Sequence, residues 1–248
     1  MAAPSVFVCE DYGELSRKAA DIVCAIVSAS PRASIVAATG QTPMGLYDDL
    51  ARRRGAGAFD ASDARVFQLD EYVGVGPGDR RSLFGWIVRS FTEPLRIPEA
   101  NVVRLSTDVD VARACEAYDR RLQEAGGYDL AILGIGRNGH LGFNEPPSDA
   151  SAPTRTVELS PESVESSAGY WGGREHVPRR AMTAGMRELL RARTILLLAS
   201  GAHKREIVDC ALHGPITPNV PASFLQLVDT VTVLVDRDAW GDGERPAR

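Results

Sequence analysis

A histidine and a carboxylate, His140 and Glu145, stand five positions apart on a glycine-rich segment that follows the apolar run 129–133. A short apolar run is typical of a buried strand, and open α/β sheets place their chemistry at the carboxyl ends of strands. Imidazole takes and returns protons near neutral pH, and a carboxylate within reach can assist it. Glycines at positions 134, 136 and 139 predict tight positive-φ geometry and close approach to a ligand. This spacing predicts acid–base chemistry.

Two adjacent acids close another predicted strand, in the segment Leu69-Asp70-Glu71-Tyr72. Neighbouring side chains at a strand end point in different directions, so one acid can face a substrate while the other engages the backbone or a basic side chain. Asp70 is the predicted general base, and Glu71 is a candidate substrate-binding residue. Taken alone, the pair is more typical of solvated loop acids or of a helix cap.

A third predicted strand, 34–37, runs into a glycine turn and then into a helix started by Pro43. Free backbone N–H groups and the positive end of that helix predict a site for an anion, most simply a phosphate. The residues of this candidate loop are Thr39, Gly40, Gln41 and Thr42. Lys204 follows a further predicted strand and could add a point charge. The same features also fit an ordinary capped helix and a solvated lysine.

Short apolar runs alternate with segments of helical period, which predicts an α/β fold: a Rossmann-like three-layer sandwich with a mostly parallel central sheet. Strands are predicted at 6–8, 34–37, 65–69, 130–133, 194–198 and 231–235. Helices are predicted at about 11–29, 43–54, 82–92, 108–125, 180–190 and 201–212. We expect one domain over residues 1–236 and a polar tail over 237–248. The stretch 146–178 is rich in Ser, Pro and Gly and is predicted to be a mobile cover over the site.

Composition narrows the class of partner. The 248 residues include 28 Lys and Arg against 33 Asp and Glu, a net charge of -5 that does not favour nucleic acid or an anionic membrane. No leader segment and no long apolar run stands out, so we expect a cytoplasmic protein that acts on a small molecule. Four scattered cysteines predict neither a disulfide framework nor a zinc site.

These segments, in this order, resemble the glucosamine-6-phosphate deaminase (isomerase) family, which shares its fold with the 6-phosphogluconolactonases. The similarity runs along almost the whole chain, through 69–74, 97–101 and 221–227, and the ending Phe143-Asn144-Glu145-Pro146 is similar to the deaminases rather than the lactonases. The resemblance implies a reaction that converts a 2-amino-2-deoxyhexose 6-phosphate to a ketose 6-phosphate and ammonia, with no metal and no organic cofactor. A homo-oligomer is possible, because relatives range from monomers to hexamers.

The resemblance also implies residue roles. Thr39, Gly40, Gln41 and Thr42 match the phosphate loop, and Lys204 matches a phosphate-binding lysine. Asp70 matches the base that moves a proton between C2 and C1, His140 the group that assists ring opening, and Glu145 a supporting carboxylate. Gly136, on the same turn as His140, is a candidate for close contact with the substrate.

Two departures from the family pattern leave other functions open. Asn138 replaces an aspartate that pairs with the histidine in typical deaminases; an amide can still orient the ring, but it stabilises imidazolium less than a carboxylate does. Gly169 stands near the position at which members of this family carry a phosphate-binding arginine. Three arginines of this chain, Arg174, Arg179 and Arg180, are candidates to take the place of that arginine. Substrates of galactosamine configuration, a lactonase or non-deaminating isomerase activity, and a non-catalytic sugar-phosphate-binding protein are the alternatives.

Overall fold

Two β-sheets organise the part of the chain that the computed structural model describes, residues 4–107 and 110–241. The strands are β1 (Ser5–Cys9), β2 (Ser34–Ala37), β3 (Arg65–Gln68), β4 (Asp70–Tyr72), β5 (Val102–Val103), β6 (Leu130–Gly134), β7 (Arg155–Glu158), β8 (Arg180–Thr183), β9 (Ile195–Ala199) and β10 (Val231–Asp236). The central sheet has the order β1-β10-β9-β6-β2-β3-β5, and its paired strands are parallel. A smaller antiparallel sheet has the order β4-β8-β7.

Helices cover both faces of the central sheet. They are α1 (Tyr12–Ala29), α2 (Met44–Gly55), α3 (Leu83–Ile87), α4 (Val111–Glu124), α5 (Pro161–Trp171), α6 (Met186–Leu189), α7 (Arg205–His213) and α8 (Arg237–Trp240). Alternate strand residues enter opposite cores, as a period of two requires. Val36 packs in the core under α4 and α7, whereas its neighbours Ile35 and Ala37 pack in the core under α1 and α2. The predicted three-layer α/β fold with a mostly parallel sheet is confirmed.

The segment 180–190 is a correction to the sequence analysis, because it begins as strand β8 and not as a helix. Ala181 and Met182 are fully buried and pair with both β4 and β7, so sheet pairing outweighs the helical period of the segment. Only Met186–Leu189 is helical.

The stretch 146–178 is more regular than the predicted mobile cover, since it contains β7 and α5. The signal for α5 is present in the sequence: the Ser160 hydroxyl accepts from the Ser163 N–H, and Pro161 occupies the first helical turn. Short 3₁₀ segments occur at Glu99–Asn101, Arg174–His176, Ala202–Lys204 and Pro221–Leu227, and a π-turn at Val88–Thr92 continues α3.

The chain end also differs from the predicted tail. Asp236 caps α8 by accepting from the Ala239 N–H at 2.8 Å, so residues 237–240 form a helix. The remainder of the predicted tail, residues 242–248, lies outside the described residues, as do residues 108–109 at the start of the predicted helix 108–125; α4 is helical from Val111. None of the helices described is both long and apolar enough to cross a membrane.

Candidate active site

The carboxyl ends of β2, β3 and β6 open into one cavity of about 600 Å³. The structure brings eight of the predicted site residues to its wall: Thr39, Gly40, Gln41, Thr42, Asp70, Gly136, His140 and Lys204. Three others, Glu71, Asn138 and Glu145, lie behind that wall and contact its residues. Parallel pairing of these strands explains the convergence, since it places their carboxyl ends at one edge of the sheet.

Asp70 is the carboxylate that faces the cavity. Its side chain is 6% exposed, and its Oδ1 atom is buried without a hydrogen-bond partner. Burial, helped by the negative charge of Glu71, raises the pKa of Asp70 to about 8. A carboxylate with so little solvation is a stronger base than an ordinary aspartate and is poised to take a proton near neutral pH.

Glu71 does not line the cavity and is the acid of the pair that engages the backbone, while a direct contact of Glu71 with the substrate stays a prediction. Its carboxylate accepts from the backbone N–H groups of Leu83 and Phe84 at 3.0 and 2.9 Å, and from Gln68 Nε2 at 2.9 Å. Burial raises the pKa of Glu71, and these donated hydrogen bonds oppose the rise. Glu71 therefore ties the start of α3 to β4 and fixes the strand end that carries Asp70.

His140 is held by Glu145 from behind. The ring Nδ1 lies 3.5 Å from Glu145 Oε2 and 3.4 Å from the Ser163 hydroxyl. Glu145 is buried, but hydrogen bonding and the charge of His140 outweigh burial and lower the pKa of Glu145 to about 2. The imidazole thus has a permanent carboxylate at Nδ1, and its Nε2 has no protein partner in the described part of the chain.

Among the described residues, the Asn138 amide makes no hydrogen bond to the imidazole and contacts the His140 backbone and Glu145 instead. Its Oδ1 accepts from the backbone N–H of His140 at 3.3 Å, and its Nδ2 donates to Glu145 Oε2 at 2.9 Å. Asn138 therefore positions and stabilises the carboxylate that in turn contacts the ring. Glu145 holds the charge that a paired aspartate would otherwise supply.

Gly136 matters because the imidazole lies directly on it. A Cβ atom at this position would come within 2.2 Å of His140 Nε2, so a side chain here would displace the ring. The predicted positive-φ geometry holds at Gly139, with φ of 84°, but Gly134 and Gly136 adopt ordinary φ values. Close approach, and not backbone strain, explains the glycine at 136.

The loop 39–42 forms another part of the cavity wall. No side chain caps the start of α2. The Tyr12 hydroxyl lies 3.0 Å from the carbonyl oxygens of Gln41 and Thr42 and accepts from the Gly45 N–H at 2.8 Å. The Tyr12 hydroxyl therefore contacts the carbonyl groups of the loop although Tyr12 does not line the cavity, and the sequence analysis did not predict this role. The N–H groups of Met44 and Gly45 at the start of α2 are therefore already bound, to the Gln41 carbonyl and the Tyr12 hydroxyl, so an anion here would be held by the N–H groups of the loop 39–42.

Two cationic side chains, Lys204 and Arg137, also line the cavity. Lys204 Nζ donates to the Ile135 carbonyl at 2.6 Å, which ties the lysine to the glycine-rich turn. Burial and the nearby charge of Arg137 lower the pKa of Lys204. Sequence reasoning missed Arg137, although its place inside the glycine-rich segment was the available signal.

The three arginines predicted to replace a phosphate-binding residue do not line the cavity. Arg174 lies 3.8 Å from Glu165, and Arg180 lies 3.5 Å from Glu158. Arg179 is likewise absent from the wall. Arg155 is used elsewhere, because it donates to Asn144 Oδ1 and the Ser148 hydroxyl, each at 2.7 Å.

An aromatic and hydroxyl wall completes the cavity. It consists of Tyr72, Trp86, Phe143 and Tyr170 with the α5 serines Ser163, Ser166 and Ser167. Trp86 and Tyr170 pack with ring centroids 5.2 Å apart, which joins α3 to α5 across the cavity. The segment predicted as a cover therefore supplies part of the site wall. Across the described residues, no cluster of three or more His, Cys, Asp or Glu side chains could hold a metal ion.

Comparison with known proteins places these features in context. Residues 10–234 match the family model described as glucosamine-6-phosphate isomerases/6-phosphogluconolactonase. The chain is 35% identical over 237 residues to glucosamine-6-phosphate deaminase of Clostridium botulinum (strain Kyoto / Type A2), covering 94% of this chain and 96% of that protein. It is 37% identical over 235 residues to the protein of the same name from Clostridioides difficile (strain 630), with 94% of each covered.

Two solved structures that resemble the chain differ in how similar they are to it. A monomeric glucosamine-6-phosphate deaminase superimposes with a TM-score of 0.92 at 34% identity, covering 95% of this chain and 98% of that one. The 6-phosphogluconolactonase from Leishmania guyanensis superimposes with a TM-score of 0.77 at 20% identity, covering 99% of this chain and 100% of that one. The second likeness is one of fold alone.

Proposed function

The chain belongs to the family of glucosamine-6-phosphate isomerases and 6-phosphogluconolactonases, and we propose that it is a glucosamine-6-phosphate deaminase. The reaction takes a 2-amino-2-deoxyhexose 6-phosphate and water to a ketose 6-phosphate and ammonia. The observation that carries the proposal is that Asp70, His140 and the loop 39–42 open into one cavity.

Two groups of residues in the cavity divide the work. The loop 39–42 and Lys204 bind the 6-phosphate, which takes no part in bond breaking. Its binding energy holds C1 and C2 of the sugar beside Asp70. Proximity and orientation of this kind can lower the barrier by several kcal/mol, about 7 or more in favourable cases.

Ring opening comes first and needs one proton removed from the O1 hydroxyl and one given to O5. His140 serves both needs, because Nε2 is the ring nitrogen without a protein partner and Nδ1 faces Glu145. The Glu145 carboxylate, with its pKa near 2, stays ionised and stabilises the imidazolium that forms. Asn138 keeps that carboxylate in place through its amide hydrogen bond.

Proton transfer from C2 to C1 follows on the open-chain aldose. Asp70 removes the C2 proton, the electron pair of the C–H bond forms the C1–C2 double bond, and the C1=O pair moves to O1. O1 takes the proton that the 2-ammonium group gives up, which yields an enol with a neutral amino nitrogen at C2. Asp70 returns the proton to C1, and the lone pair on the deprotonated amino nitrogen forms a C2–nitrogen double bond. Water adds to C2 and ammonia leaves, which yields the ketose. No net oxidation or reduction occurs.

The wall of the cavity suits this order of events. Asp70 is buried, so little water competes for the proton that it carries between the two carbons. A 2-ammonium group beside Asp70 favours its ionised form, since an opposite charge within a few ångströms lowers a carboxyl pKa. The substrate itself thereby helps to generate the base that attacks it.

The test is turnover by the purified full chain. With glucosamine 6-phosphate we expect ammonia and ketose 6-phosphate in equal amounts, and parallel assays with galactosamine 6-phosphate set the configuration at C4 that the pocket prefers. Folded protein, checked by circular dichroism, that turns over neither amino sugar would overturn the proposal. Hydrolysis of 6-phosphogluconolactone without deamination would replace it with the lactonase reaction. A cytoplasmic location and a homo-oligomeric state stay predictions.

A further inference from the structure

The electrostatic balance of the cavity wall is uneven. Of the described residues that line the cavity, Asp70 is the one carboxylate, and it lies among the catalytic groups. Arg137 and Lys204 line the same cavity, together with the loop 39–42. Arg137 and Lys204 lie close together with no carboxylate between them, so their positive charges repel each other. An anion bound between them would cancel this repulsion.

Arg137 lines the cavity and has no protein partner among the described residues, which distinguishes it from Arg155, Arg174 and Arg180. Arg155 is bound by Asn144 and Ser148, Arg174 faces Glu165, and Arg180 faces Glu158. Within residues 4–107 and 110–241, no hydrogen bond or ion pair forms to the Arg137 guanidinium. Its side chain is exposed at the wall of the cavity and is therefore free to close on a ligand.

The position of Arg137 is fixed relative to Lys204 by the backbone. Lys204 donates to the carbonyl of Ile135, two residues before Arg137, so the ammonium and the guanidinium extend from one short turn. The positive charge of Arg137 lowers the pKa of both Lys204 and His203, which agrees with their closeness. Burial makes the larger contribution to each shift.

We propose that Arg137 binds the phosphate of the substrate, opposite the amides of the loop 39–42 and together with Lys204. This inference rests on the proposed function. A guanidinium presents parallel N–H donors that match two phosphate oxygens, whereas an ammonium acts as a point charge. Arg137 thus fills the part that Arg174, Arg179 and Arg180 were predicted to play, and it does so from the same turn that carries His140.

Binding measurements separate this role from catalysis. Isothermal titration calorimetry with glucitol 6-phosphate, which has no amine and no carbonyl to react, compares the wild type with Arg137→Gln, Arg137→Lys and the control Arg174→Gln. We expect Arg137→Gln to bind at least about tenfold more weakly, Arg137→Lys to fall between, and Arg174→Gln to stay within about twofold. Unphosphorylated glucitol should show no difference among the four proteins.

Steady-state kinetics gives the second readout. For glucosamine 6-phosphate we expect Arg137→Gln to raise KM at least about tenfold and to leave kcat within about threefold, since the phosphate is remote from the reacting carbons. Equal affinity of Arg137→Gln and wild type for glucitol 6-phosphate overturns the inference even if deamination is observed. Affinity that depends on Arg137 in a protein that deaminates nothing upholds the inference and removes the proposed function.

Discussion

Asp70 and Glu145 are two buried carboxylates of one site, and their surroundings give them opposite properties. Each is 6% exposed, and each has one oxygen without a hydrogen-bond partner, Oδ1 of Asp70 and Oε1 of Glu145. Burial, helped by the charge of Glu71, raises the pKa of Asp70 to about 8, and no described residue donates a hydrogen bond to its carboxylate. Glu145 lies beside His140 and Asn138, so its pKa falls to about 2 despite its burial.

Because Asp70 and Glu145 are equally buried, the hydrogen-bond donors and charges around each carboxyl group, and not the degree of burial, account for the difference between their pKa values. A carboxyl group that lacks donors can exchange a proton near neutral pH, which suits a base that carries a proton from C2 to C1. A carboxylate that is hydrogen-bonded and charge-paired keeps its negative charge, which suits the support of an imidazolium. The same residue type in one cavity therefore serves as base and as counter-ion.

Removing the base is the most damaging change. Asp70→Asn keeps the size of the side chain but cannot accept the C2 proton, so we expect kcat to fall at least about 100-fold while glucitol 6-phosphate still binds. Coupled assays for ammonia together with calorimetry measure both quantities. The control Asp60→Asn changes an exposed acid away from the cavity and should behave as wild type. Activity of Asp70→Asn near the wild-type level would contradict the role of Asp70.

Neutralising the counter-ion comes second. Glu145→Gln removes the charge 3.5 Å from His140 Nδ1, so the imidazolium formed during ring opening loses its support, and we expect kcat to fall about 10- to 100-fold. The matched control Glu158→Gln alters a carboxylate whose side chain is 74% exposed. A Glu145→Gln protein as active as the Glu158→Gln control would show that ring opening does not depend on this charge.

Replacing Asn138, which donates a hydrogen bond to Glu145, by an aspartate should raise the pKa of Glu145 toward that of Asp70. Asn138→Asp sets a second carboxyl within hydrogen-bond distance of Glu145, and like charges raise the pKa of the pair in the folded state above its unfolded value. A group with a raised folded pKa loses stability as pH rises through the interval between the unfolded and folded values. We expect the melting temperature, relative to wild type, to be lower at pH 8 than at pH 5 by about 3 °C or more.

Differential scanning fluorimetry at the two pH values measures this difference. The control Asn101→Asp adds the same charge beside the edge strand β5, where the amide lies 3.4 Å from the Ser62 carbonyl. An equal pH dependence in both variants would mean that Glu145 does not sense the new charge.

The smallest expected effect concerns the neighbour of the base. Glu71→Gln removes one of the two causes that raise the pKa of Asp70, so the ionised base appears at lower pH. With the Asp70 pKa near 8, we expect the acid limb of the kcat/KM profile to lie near pH 8 in the wild type and to move down by less than about one pH unit in Glu71→Gln. The control Glu10→Gln changes an acid whose side chain is 66% exposed. A limb that stays fixed or moves up would contradict the assignment.

Much of this site follows from the sequence because strand ends are easy to find. Apolar runs before Asp70, His140 and the loop 39–42 indicate parallel strands, and parallel strands bring their carboxyl ends together. The fold class and the wall residues at these strand ends were predictable on that ground, whereas Arg137 and the aromatic wall from α3 and α5 were not. The resemblance to a known family supplied the roles.

The rest could not be predicted, because it depends on contacts across the fold. Whether the Asn138 side chain contacts the His140 ring or Glu145 depends on the geometry of the turn. The His140 backbone N–H donates to the Asn138 amide oxygen, so the amide nitrogen is left to donate to Glu145. Glu71 and Tyr12 act on elements that are distant in sequence, α3 and the loop before α2. β8 pairs on both sides, which local periodicity does not register.

Carbon-13 NMR of the carboxyl carbons of Asp70 and Glu145, titrated from pH 4 to 10 in the free protein, tests the division between them most directly. Resonances are assigned by their loss in Asp70→Asn and Glu145→Gln. We predict a midpoint near 8 for Asp70 and no titration of Glu145 across this range, in line with its pKa of about 2. Two midpoints near 4, the ordinary value for exposed carboxyl groups, would contradict the account.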